Sequence, residues 1–249
     1  QPVFFCVCSQ KGGVGKSTFT ILLANWLHYA LGRDVLVVDC DAPQWSIVAQ
    51  RERELDVLER NDRYKLMMVR LFKRTGRKIW PVVRSTPYEG LQAARAYFAA
   101  GDREADFVRL DLPGTVAAPG IFRLLAQLDH LFIPLKADKL VLESALSFAR
   151  AVDERLVHND AHRLTGLHLF WTMVDRRERT PLYESYGKAF AAFRLPVLQT
   201  QVPYRSRFSK EILDTSGAVG RSTLFPADRA FAADAALDAL AAEILSLME

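Results

Sequence analysis

Val3-Phe4-Phe5-Cys6-Val7-Cys8 runs into Ser9-Gln10-Lys11-Gly12-Gly13-Val14-Gly15-Lys16-Ser17-Thr18, and that loop runs into Phe19-Thr20-Ile21-Leu22-Leu23-Ala24-Asn25-Trp26-Leu27. The first six residues are uncharged and read as a buried strand, and the last nine read as a helix. Glycines between them let successive backbone N–H groups converge on one point with no Cβ in the way. The new helix adds its unpaired N–H groups and its positive dipole end. Strand, glycine-rich loop and helix together predict a phosphate-binding loop. Gly12, Gly13, Val14, Gly15, Lys16, Ser17 and Thr18 are its candidate phosphate ligands. Lys16 would set an ammonium against the β- and γ-phosphates, and Ser17 a hydroxyl on Mg²⁺.

Working outward, the 249 residues suit one large α/β domain spanning 1–249. Half the residues are hydrophobic, enough for a sizeable core. No uncharged apolar run reaches the ~18 residues that a membrane span requires. The start, Gln1-Pro2-Val3, has neither a Met nor a basic n-region, so no signal peptide is expected. Cys6, Cys8 and Cys40 form no CxxC pair and read as reduced core thiols of a cytoplasmic protein. The net charge of +4 permits nucleic-acid binding without demanding it.

A helix over 17–31 stops at Gly32, the C′ position. Val35-Leu36-Val37-Val38 is a short apolar run ending in Asp39, as in a parallel strand covered on both faces. This β-α-β order predicts a doubly wound, mostly parallel sheet flanked by helices, with ligands at the C-terminal ends of its strands. Asp39-Cys40-Asp41-Ala42-Pro43-Gln44 lies at one such end. Residues 46–75 read as helical, within a helical, basic insertion around 47–100. Arg60 to Arg84 holds nine basic residues and one acidic one, a solvated face or a surface for phosphates. Val82-Val83-Arg84 reads as a strand and Glu89–Ala100 as a helix. Phe107-Val108-Arg109-Leu110-Asp111 reads as a strand followed by Leu112-Pro113-Gly114, with Arg109 expected near a sheet edge. Further strands are expected at 131–135, 167–174 and 197–202, and helices at 140–158 and 226–249. His168 reads as a packed core histidine.

Lys-Gly-Gly-Val-Gly-Lys-Ser, with Lys11 early in the loop and Gln10 where the generic motif has Gly, resembles the deviant Walker A motif of the ParA/MinD family of P-loop ATPases. Asp39-Cys40-Asp41-Ala42-Pro43-Gln44 is similar to that family's Asp-x-Asp-Pro-Gln, with Ala42 as an extra residue. The resemblance implies ATP/ADP and Mg²⁺ as cofactors and a homodimer in the ATP-bound state. Lys11 would reach the partner's nucleotide, and Asp41 would assist hydrolysis and the metal, with Asp39 as the other candidate. Asp111 would hold Mg²⁺ through a water. Leu167–Asp175 and Val197–Pro203 resemble the strands beside the adenine, which makes Met173, Asp175 and Pro203 base-site candidates. Arg205, Arg207, Lys210 and Arg221 are candidates for non-specific DNA contact, since phosphate contact needs only exposed guanidinium groups in a row.

The function this implies is a partition, segregation or mobile-element (plasmid or conjugative transfer) ATPase, stimulated by a ParB-like or other activating partner. Its cargo is open, and it would sit on the nucleoid if it binds DNA. The acidic residues of 226–249 (Asp228, Asp234, Asp238, Glu243, Glu249) argue against membrane attachment, which needs a basic amphipathic tail. A metabolic P-loop enzyme of dethiobiotin synthetase type and a MinD-like positioning ATPase are the alternatives.

Overall fold

In the computed structural model, residues 1–101, 104–114, 119–175, 177–212 and 219–249 are described. Six strands run parallel: β1 (Val3–Val7), β2 (Val35–Asp39), β3 (Val82–Arg84), β4 (Phe107–Asp111), β5 (His130–Leu135) and β6 (Gly166–Trp171). Their spatial order is β3-β2-β4-β1-β5-β6. Every connection is a crossover, so helices cover both faces and the strands are mostly apolar, as expected of a parallel sheet.

The register sets up the site. Val7 pairs with Asp111 across β1–β4, and Asp39 pairs with Asp111 across β2–β4. The end of β1, where the glycine loop starts, and both strand-terminal carboxylates therefore share one row. On one face, Phe5, Val7 and Phe107 pack with α1 (Lys16–Asn25) and the C-terminal helix. On the other, Cys6, Cys8, Leu36, Val38, Val108 and Leu110 form a second layer with the helices that precede β4 and follow β5. All three cysteines are buried free thiols, and burial pushes the Cys6 and Cys40 thiols well up. They are core residues, as expected.

Most predicted elements stand, with four differences. The helix expected over 46–75 breaks at Asn61 into α2 (Ser46–Arg60) and α3 (Asp62–Thr75). Asn61 takes extended backbone, and its side chain accepts a hydrogen bond from the Arg63 N–H at 3.1 Å, an N-cap. Helix α4 (Gly90–Ala99) then precedes β4, α5 (Pro119–Leu125) precedes β5, and α6 (Lys139–Val152) and α7 (Leu182–Ala192) flank β6. Residues 197–203 run beside β6 through two isolated bridges, Leu169 to Val197 and Val174 to Pro203, rather than as a regular strand. The C-terminal helix is two helices, α8 (Arg229–Asp234) and α9 (Leu237–Met248), separated where Ala236 adopts φ +52°. Leu237, Leu240, Ala241, Ile244 and Met248 of α9 are buried against the core.

The fourth difference is Arg109. It was expected near an edge, but β4 lies between β2 and β1 and Arg109 is fully buried. Its guanidinium lies 5.2 Å from the Phe5 ring centroid. Burial brings its pKa down to about 9, opposed by the charge of Asp111 two residues on. None of its three guanidinium nitrogens has a hydrogen-bond partner among the described residues. His168 stacks on Phe132 and His130, and burial lowers its pKa to about 4, so it packs as a neutral ring. No helix among the described residues is long and apolar enough to cross a membrane.

Candidate active site

The glycine loop takes the form its residues predict. Gly13 and Gly15 sit at φ +76° and +90°, where a side chain is strained. A Cβ on Gly15 would also lie 3.1 Å from the Phe19 ring. Gly15 is the N-cap of α1 and offers no side-chain acceptor, so the first amides of the helix are left for a ligand. Gln10, the departure from the generic motif, ties the loop to α6: its amide oxygen accepts from the Ser144 hydroxyl at 3.1 Å.

A cavity of about 540 Å³ opens over this loop, within the usual range for small-molecule sites. Gly13, Gly15, Lys16, Ser17 and Thr18 form one wall. Asp41, Ala42, Gln44, Leu112, Pro113, Gly114 and Arg221 form the rest. The Lys16 ammonium donates to the Lys11 carbonyl at 3.3 Å, and a Cβ on Gly114 would stand 3.6 Å from it. Lys11 itself is exposed and Val14 is buried.

At the base, the Ser17 hydroxyl donates to Asp111 Oδ2 and the Thr20 hydroxyl to Asp111 Oδ1, both at 2.8 Å. Thr20 was not foreseen; a hydroxyl one helical turn after Lys16 is the signal that could have found it. Burial raises the Asp111 pKa to about 6, against the pull of these two hydroxyls. A buried carboxylate touching the Ser17 hydroxyl is a donor set that suits a hard divalent cation. Among the described residues, no cluster of three or more His, Cys, Asp or Glu forms a separate metal site.

Asp39 and Asp41 diverge. Asp39 is fully buried, and its carboxylate accepts from the Ile47 and Val48 N–H groups at 3.0 Å and from the Asp41 N–H at 3.2 Å. It is spent on capping α2. Asp41 lines the cavity; burial raises its pKa and the Lys16 charge opposes that.

Met173, Asp175 and Pro203 do come together through the Val174–Pro203 bridge, but none lines the cavity. Asp175 is tied to Arg177, which holds its pKa down near 2. The DNA-contact candidates do not form a row of free cations. Arg205 is paired with Asp234, and Arg207 with Asp228 and the Val219 carbonyl. Lys210 is exposed. Arg221 turns inward, into the cavity wall, because the chain bearing it is fixed against α2.

A parallel α/β sheet with a glycine loop between its central strand and first helix, facing strand-end carboxylates, defines a P-loop nucleotide-binding protein. The chain matches the CobQ/CobB/MinD/ParA nucleotide binding domain over residues 5–218, and it belongs to that family. It is 27% identical over 220 residues to the chromosome-partitioning ATPase Soj of Thermus thermophilus, covering 74% of this chain and 86% of Soj. Cobyrinic acid a,c-diamide synthase of Mycobacterium smegmatis, solved with an ATP analogue and magnesium, shares the fold at TM-score 0.54 and 21% identity, covering 89% of this chain and 90% of that one. The ParA of pNOB8, solved bound to nonspecific DNA, shares it at TM-score 0.52 and 18% identity, covering 80% of each chain.

Proposed function

We propose that this chain is a ParA-type ATPase that uses ATP and Mg²⁺ and, as an ATP-bound homodimer, holds DNA without reading its sequence. One observation carries the reading. Lys16, Ser17 and Asp41 line a single cavity, Asp111 is hydrogen-bonded to Ser17 behind it, and Lys11 is exposed. ATP with Mg²⁺ supplies a phosphoanhydride whose terminal phosphoryl group can pass to water. Lys16 and the amides of Gly13 to Thr18 bind and orient the phosphates. Ser17 and Asp111 hold the metal, and Asp41 orients the attacking water and accepts its proton. Lys11 is exposed and can complete the site of a second copy, the likeness to the chromosome-partitioning ATPase Soj supports a partition role, and an activating partner belongs to the same reading. The apolar face of α9 is committed to the core.

Phosphate release with Mg²⁺, and its loss with EDTA, tests the enzyme assignment. Lys11→Ala should bind ADP like wild type and release no phosphate; normal turnover in that variant would sink the cross-dimer role. A gel shift on random duplex DNA should appear with ATP and weaken steeply with salt. The cobyrinic acid enzyme's likeness keeps a metabolic ligase as the second reading. Absence of any shift at low salt, with or without ATP, would favour it.

A further inference from the structure

We infer that Arg221 is a phosphate-contacting residue of the nucleotide site, a role that rests on the nucleotide reading above. Its side chain lines the cavity together with Lys16, Ser17 and Thr18. Nη1 donates to the Thr18 hydroxyl at 3.2 Å, on the residue that follows the metal-site serine. Nη2 donates to Glu211 Oε1 at 2.6 Å. Nε is buried with no hydrogen-bond partner among the described residues. Nη1 and Nη2 each keep a further N–H beyond these bonds, so the guanidinium has donating capacity to spare beside the loop.

The chain around it is built to hold that position. The Arg221 N–H donates to the Lys210 carbonyl at 2.8 Å, and the Arg221 carbonyl accepts from Gln50 at 3.2 Å. The next two residues are fastened to a buried carboxylate: Glu54 accepts from the Ser222 hydroxyl and from both the N–H and hydroxyl of Thr223. Asn25, on α1, donates to the Ser222 carbonyl at 2.6 Å. Arg221 is thus braced against the same helix that carries Lys16. Glu211 also pairs with Arg53, so it keeps a counter-charge when the guanidinium turns to a phosphate. An arginine adds two things that Lys16 cannot: a planar fork that matches phosphate oxygens, and a charge fixed in orientation.

The test is binding, read without turnover. Calorimetry with Mg²⁺–ADP, and displacement of a fluorescent ADP by pyrophosphate, are measured for wild type, Arg221→Ala and Arg221→Lys. Arg221→Ala should weaken ADP and pyrophosphate alike, by tenfold or more, and Arg221→Lys should recover part of the loss. The melting temperature should stay near wild type, because the backbone and residues 222–223 make the anchoring bonds. If Arg221→Ala unfolds, Arg221→Lys alone decides, and its ADP affinity must fall at least threefold. An ADP constant within twofold of wild type, or a loss for ADP with pyrophosphate unaffected, overturns the assignment. Lys16→Ala is the control. If wild type binds no ADP, the nucleotide reading falls and takes this inference with it; if wild type binds and Lys16→Ala does not, only the role of Arg221 is at stake.

Discussion

The two walls of the cavity are made in opposite ways. One wall, Gly13 to Thr18, is a single uninterrupted stretch whose geometry follows from its own glycines and the helix it starts. The other is collected from Asp41 to Gln44, Leu112 to Gly114 and Arg221, which are up to 180 positions apart. The first wall depends on local backbone conformation. The second depends on strand register, on the Asp39 cap and on the Glu54 network. Substitutions in the first wall should therefore act on binding, whereas those behind the second should act first on stability.

The largest expected effect separates Asp41, on the second wall, from Asp39 buried behind it. Asp41→Ala should lower turnover on the order of a thousandfold, the scale of a lost general base, with stability and ADP affinity nearly unchanged. Asp39→Ala should do the reverse. It removes a buried acceptor from three N–H groups and should cost about 2 kcal/mol in a denaturant melt. If Asp39→Ala is as stable as wild type while losing all turnover, the assignment of the two is inverted.

Next comes the hidden support of the far wall. Glu54→Ala leaves Ser222 and Thr223 without their carboxylate acceptor, leaves Gln50 only the Arg221 carbonyl, and should cost about 3 kcal/mol. Refolded at low temperature, it should also bind ADP more weakly, because Arg221 loses its brace. A stable variant with wild-type ADP affinity would show that the two walls are independent.

A third prediction concerns pH. Burial holds the Asp111 carboxyl up at about 6, against 3.8 for the free group. In the nucleotide-free chain this proton stabilises the fold fully below pH ~4, and its contribution is lost as pH rises through 6. Asp111→Asn cannot ionise. It should therefore be more stable than wild type by roughly 2 kcal/mol at pH 7.5 without nucleotide, and the gap should close towards pH 4. Equal melts at both pH values would show that the Ser17 and Thr20 hydroxyls already offset the burial.

The smallest effect is expected outside both walls. Arg205 is paired with Asp234 at the surface, and Arg205→Ala should change stability by about 0.5 kcal/mol or less. ADP affinity should not move. Reduced DNA binding with a shallower salt slope would make Arg205 a phosphate contact after all.

The fold was legible because its signals are local. Continuous apolar runs alternating with helical periods fix a parallel sheet, and the glycine loop names its own ligand chemistry. Its departure at Gln10 was legible as text, but its use as a tether to Ser144 was not. Asp39 and Asp41 could not be told apart by spacing, since both end the same strand. Only the docking of α2 uses one as a cap and leaves the other facing the cavity. Arg109 misled for a related reason: a charge suggests an edge, but strand order is set by the whole sheet. Arg221 was the deepest reversal. A run of arginines reads as an exposed cationic face until the contacts of Glu54, Gln50 and Asn25 turn one of them inward.

The amino-acid sequence by itself determined the phosphate-binding loop, the parallel α/β class and the strand-end carboxylates, because each follows from the conformational preferences of neighbouring residues. The tertiary structure alone decided which carboxylate faces the nucleotide cavity, where Arg109 lies and that Arg221 joins the site. Those outcomes depend on burial and on hydrogen-bond partners distant in the chain, and no local preference encodes them.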